Sequence, residues 1–180
     1  MGIIDNIANT YVDEWAPLDP IGATYIGMDS YDDQMTDMSP AGYEALADLD
    51  RRTLAALNSA VPESEGERVA KEAMVERLTL SVARYEAGET TGELNVLASG
   101  LHNIRGIFDL MPLSGDGAAD NIAARLAAVP AALLDYRRTL QEAAKAGNIS
   151  SRHQMIEVAA QCDSWSDPNV DDFWPGLVDR

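Results

Sequence analysis

Three observations predict an all-α protein: repeated apolar spacing at helical period, cap-forming residues ahead of several of those segments, and no sustained period-two alternation of β-branched residues. The expected architecture is an irregular bundle of about five to seven helices without a substantial sheet. Residues 1–180 read as a single helical region, with no internal repeat of fixed period.

The first element carries Ile4, Ala8, Tyr11 and Trp15 on one face, with Pro17 and Pro20 ending it. The following twenty or so residues read as a helix-poor excursion over the surface. In it Met28, Tyr31 and Met35 are apolar anchors among Asp29, Asp32, Asp33 and Asp37. Ser39-Pro40 then opens a helix, because the serine oxygen can accept an otherwise unpaired amide and proline has no amide to leave unpaired. The buried stripe of this helix is Tyr43, Leu46, Leu49, Thr53 and Leu57, bounded by Pro62. Ser64 and Glu67 have capping-box spacing before Ala70, Met74, Leu78 and Tyr85, and Gly88 is the stop, so the two helices form a hairpin.

Between Leu94 and Met111 the pattern weakens to a short or irregular helix with Leu97, Leu101, Ile104 and Phe108 at helical spacing. Asp116-Gly117 precedes the longest periodic run, Ile122, Leu126, Val129, Leu133, Tyr136 and Leu140, closed by Gly147. Pro130 inside it is expected to kink or break the helix. Ser151 and Gln154 repeat the capping-box spacing ahead of Met155, Val158 and Cys162. Trp165, Phe173, Trp174 and Leu177 then form an apolar tail expected to need another surface to cover it.

Composition removes several functions. The chain has 13 Lys and Arg against 30 Asp and Glu, a formal net charge of -17, and no basic run to neutralise a row of phosphates, so nucleic acid is a poor partner. An anionic membrane surface would be repelled, and no apolar run approaches the roughly 20 residues of a span. The single cysteine, Cys162, permits no internal disulfide, and the N-terminus lacks signal-peptide features. A cytoplasmic location is therefore expected.

Four blocks, in order, resemble a bacterial family known as domain of unknown function 885. They are Leu18-Asp19-Pro20-Ile21-Gly22-Ala23-Thr24-Tyr25-Ile26-Gly27 with its downstream Tyr31-Asp32-Asp33 and Thr36-Asp37-Met38-Ser39-Pro40, Ile104-Arg105 through Phe108-Asp109 to Met111-Pro112, Arg125-Leu126 through Val129-Pro130 to Leu133 and on to Tyr136-Arg137, and Arg152, Gln154, Val158 and Gln161. The resemblance implies an all-helical protein about three times this length, with a zinc-peptidase-type H-E-x-x-H helix in the C-terminal portion. That motif does not occur here, so the resemblance supplies no metal ligand or general base to any residue of this chain. What it implies is a non-catalytic N-terminal helical region of a zinc-dependent metallopeptidase-like hydrolase, shaping the substrate cleft and stabilising the catalytic half. On that reading the partner is the downstream half of the same polypeptide, the parent protein acts on a peptide substrate, and zinc belongs to the downstream region. The alternative is a self-contained acidic helical interaction module that self-associates, one copy on a second, through its C-terminal aromatic tail.

No residue is assigned a catalytic, cofactor-binding or metal-binding role. His102 and His153 lie far apart in sequence and lack the one-turn spacing of a zinc helix, and they read as a partly exposed loop residue and a first-turn residue. The aspartates from Asp29 to Asp37 lack the spacing and glycine of a calcium loop and read as a charged surface. Ser114-Gly115-Asp116-Gly117 leads into a helix but has no Walker lysine. Ser39, Ser64 and Ser151 are caps, Cys162 has no cationic neighbour in sequence, and Arg105 and Arg125 are expected to pair structurally within the bundle.

Overall fold

Side-chain caps set the beginnings of the long helices in the computed structural model, which describes residues 2–178. Ser39 accepts the Gly42 amide at 3.3 Å and starts α3. Ser64 accepts Glu67 N–H at 3.2 Å and starts α4, and Ser151 accepts Gln154 N–H at 3.3 Å and starts α8. The chain order is α1 (Ile3–Trp15), α2 (Pro20–Tyr25), α3 (Pro40–Ser59), α4 (Glu65–Glu86), α5 (Glu89–Gly92), α6 (Gly100–Gly106), α7 (Ala118–Lys145), α8 (Arg152–Ser166) and α9 (Phe173–Val178). Single 3₁₀ turns lie at Asp29–Tyr31 and Ile107–Asp109, and the described residues contain no strand. The all-α class is as the sequence predicts. The helix number exceeds the expected five to seven because α2, α5 and α9 are too short to show an apolar period.

The apolar residues gather in two clusters. Ile4, Leu57, Ala60 and Leu78 join α1, α3 and α4, with Ile7, Tyr11 and Met74 packed around them. A larger cluster, built on Ile21, Met38, Ile104, Phe108, Val129, Tyr136 and Leu177, joins α2, α6, α7 and α9. Gly100 lets α6 close on α7: a Cβ there would stand 2.9 Å from the Tyr136 ring. The Tyr136 hydroxyl in turn donates to the Glu93 carbonyl.

Both expected capping boxes form only half. The Ser64 and Ser151 oxygens cap as predicted, but the third-position side chains leave the local turn. Glu67 accepts from Ile4 N–H at 2.9 Å and Glu63 N–H at 2.7 Å, tying α1 to α4. Gln154 accepts Val96 N–H at 2.9 Å. Long-range amides, those of Ile4 and Val96, have claimed an oxygen of each side chain that the local motif would use, and the other Glu67 oxygen serves the residue just ahead of the cap.

Three expectations are corrected. The stretch after α1 is a surface excursion only in part: Asp29, Asp33 and Asp37 are exposed around the half-buried Met28, Tyr31 and Met35, but Ile21, Ala23, Asp32 and Met38 are buried, and α2 is a helix capped by Asp19, which accepts Gly22 N–H at 3.1 Å. Of the kink or break expected at Pro130, the break does not occur, since α7 runs through it for 28 residues; burial of Val129 and Ala132 beside the proline holds the segment in place. The aromatic tail finds much of its cover within its own chain, with Trp165, Phe173 and Trp174 half-buried. Leu177 is buried in the larger core, and the Trp174 ring meets Phe108 edge-on with centroids 5.8 Å apart. Arg105 explains the turn back: its guanidinium lies 4.0 Å over the Phe173 ring and pairs with Asp171 at 3.0 Å.

Candidate functional site

A groove of about 390 Å³ opens between α7 and α8. Leu133, Tyr136, Leu140 and Ala144 line it from α7, Met155, Val158 and Ala159 from α8, and Leu94 and Leu101 complete it. The α7 residues recur every three or four positions, so the stripe that faces the core also spills onto this surface. Leu133 is 37% exposed and Met155 41%.

The segment leading from α5 into α6 ties α8 to the body. Ser150 Oγ accepts Leu94 N–H at 3.1 Å and donates to the Gly92 carbonyl at 3.0 Å. Gln154 takes the Val96 amide, and Gln161 Nε2 donates to the Val96 carbonyl at 3.1 Å. Three side chains thus satisfy backbone groups that no sheet or helix serves. Close approach at the adjoining turn requires Gly88, whose φ is +75° and where a Cβ would meet Asn148 Nδ2 at 1.9 Å.

Charge distinguishes this face. Among the described residues no carboxylate lines the groove, although Asp and Glu number 30 in the chain, while Arg137 does line it. Lys145 lies one turn beyond Gln141 and Arg152 nearly one turn before Met155, in register with the two walls. Among the described residues, Arg137, Lys145 and Arg152 are the basic side chains without an ion pair or hydrogen bond. Arg51, Arg52, Arg68, Arg77, Arg84 and Arg138, by contrast, are each within ion-pair distance of a glutamate.

At one end of α8 sits a polar knot. Ser99 N–H donates to His102 Nδ1 at 3.3 Å, which makes that nitrogen an acceptor and leaves the proton of the neutral ring on Nε2. His102 Nε2, Arg105 Nε and Gln161 Oε1 are buried without a hydrogen-bond partner among the described residues. The His102 ring packs edge-on against Trp165, centroids 5.4 Å apart, and the Arg105 guanidinium lies 5.2 Å from the same ring. His102 is therefore a helical residue of α6 in an aromatic setting, a correction to the expected loop position. Its capping role, third after Ser99, was missed because histidine is not the usual residue there.

The remaining candidates separate. His153 is exposed in the first turn of α8, with Glu157 at 3.7 Å. Asp32 is buried, accepts from the Thr24 hydroxyl at 2.6 Å and lies 3.8 Å from Arg125, so it is a structural anchor and not part of a charged surface. Arg125 is fully buried. It donates to the Gln34, Tyr31 and Pro20 carbonyls and to Thr24, so structural pairing is confirmed, with carbonyls taking most of the donors. Burial pulls its guanidinium pKa down, against the opposing pull of Asp32 and Asp33. Cys162 is half-buried, and burial together with Asp163 raises its thiol pKa. Among the described residues no group of three His, Cys, Asp or Glu side chains comes together to hold a metal ion, and no helix is long and apolar enough to cross a membrane.

The fold and this surface define an all-helical region with an apolar groove that Arg137 borders. Residues 20–178 match the family described as bacterial protein of unknown function (DUF885), and the chain belongs to that family. No curated protein matches it.

Proposed function

We propose that the chain is the non-catalytic N-terminal helical region of a larger zinc-dependent metallopeptidase-like hydrolase, where it walls one side of the substrate cleft and stabilises the catalytic half. The observation that carries the reading is membership, over residues 20–178, of the family whose longer members are expected to bear H-E-x-x-H downstream. The described residues do not fit a catalytic zinc, which needs about three protein ligands around an open position, so zinc and the general base belong to the downstream region on this reading. A peptide substrate and a cytoplasmic location go with it, the latter because Cys162 is the single cysteine.

The genomic reading frame decides it. Translation past Arg180 is expected to continue and to encode H-E-x-x-H, and the full-length product is expected to hold zinc and cleave peptides. A stop codon directly after Arg180, or a downstream region without that motif, overturns the reading.

A further inference from the structure

We propose that the α7–α8 groove is a docking site for an amphipathic helix with an apolar stripe flanked by carboxylates. The inference rests on this chain's own residues and holds whether or not a zinc motif follows. The apolar walls supply the burial, and Leu133 and Met155 at the surface have water to lose.

Charge complementarity selects the occupant. Arg137 lines the groove, Lys145 and Arg152 stand about one helical turn along from its walls, none of the three has a partner among the described residues of a chain of formal net charge -17, and no described carboxylate lines it. An acidic flank satisfies those cations, whereas a basic one would meet them as like charges. A helix suits the shape. Both walls are helices whose backbone groups are spent on their own bonds, so an extended strand would find no ladder here, while side-chain ridges can seat between α7 and α8.

The test uses two labelled synthetic helices of about 18 residues, long enough to hold helical structure. Both carry leucines at i, i+3, i+4 and i+7, with glutamates on the flanks in one and lysines in the other. Fluorescence anisotropy at physiological salt is expected to show saturable binding of the glutamate peptide. That binding should weaken at least tenfold in Leu133→Asp and in the double variant Arg137→Glu, Arg152→Glu. The long-range field of the chain favours the lysine peptide, so a preference for the glutamate peptide is a stringent outcome. Should Leu133→Asp fail to fold by circular dichroism, the exposed Arg137 and Arg152 variants decide alone. Three results overturn the proposal: no saturable binding of the glutamate peptide, binding that both sets of variants leave unchanged, or a dimer in sedimentation that Leu133→Asp abolishes, which would assign the groove to a second copy.

Discussion

Arg125 holds the Thr24 hydroxyl oxygen between its two terminal nitrogens, each 3.1 Å away, and that hydroxyl donates to Asp32 at 2.6 Å. A single guanidinium on α7 thereby organises α2, the 3₁₀ turn and the chain leading to α3. Its planar donors match the surrounding carbonyls in direction, which a lysine ammonium cannot reproduce.

Arg125→Met should therefore destabilise the protein by about 3–5 kcal/mol, because the buried carbonyls lose their donor and Asp32 loses its counter-charge together. Arg125→Lys should be intermediate. Urea unfolding followed by far-UV circular dichroism measures both, and a near-neutral Arg125→Met would remove the guanidinium from this role.

Gly100→Ala should cost roughly 1–3 kcal/mol, since the added methyl overpacks a filled site. The new Cβ would stand 2.9 to 3.0 Å from three atoms of the Tyr136 ring. Adding the second substitution Tyr136→Leu should recover part of the loss by removing the ring edge. Thermal melts of the single and double variants check the coupling.

High pH should unfold the protein through its tyrosines. Burial raises Tyr11, Tyr43 and Tyr136 above the ordinary value of 10.0, with Asp50 adding to the effect at Tyr11. Tyr85 is pushed up to about 12 by burial and by its hydroxyl's hydrogen bond to Glu44. A raised folded-state value means that the native state holds the proton longer. The stability from these groups is thus complete below about pH 10 and is lost as pH climbs through their folded values. Absorbance at 295 nm and helical ellipticity should change together; full tyrosine ionisation near pH 10 with the fold intact would contradict it.

Cys162 should react with iodoacetamide at pH 8 more slowly than free cysteine, because burial and Asp163 both disfavour its thiolate. Urea should restore the ordinary rate. Mass-spectrometric time courses give both numbers, and a faster native than denatured rate would place an activating group at this thiol.

Much of the fold was legible because caps and long apolar stripes are local signals: Ser39 could be assigned from the proline after it, and Ser64 and Ser151 from residues three positions on. What stayed hidden depends on partners far along the chain. Asp32 looked like a surface charge because its neighbours are polar, and only the approach of α7 buries it. Trp174 and Leu177 looked uncovered because Phe108 and the rest of their shelter lie in another part of the chain. For the groove, the stripe of Leu133 and Tyr136 was visible, but it read as core; that α8 leaves part of it open is a property of packing. The local difference between Arg138, which has Glu142 one turn on, and Arg137, which has Gln141 there, is readable in sequence, but that no other described element brings a carboxylate to Arg137 is again a property of packing.

The attachment of α1 bears on how this family should be cut for experiment. The matched residues begin at Pro20, yet α1 lies before them. Its Ile4 is fully buried against Leu57 and Leu78, Tyr11 donates to Asp50 at 3.0 Å, and Glu67 reaches back to cap its first turn. The edge of shared ancestry and the edge of the cooperative unit therefore do not coincide. Expression started at the recognisable boundary would strip one wall from the smaller core, leaving a face that invites aggregation, and a poor yield from such a design would reflect where the cut was made.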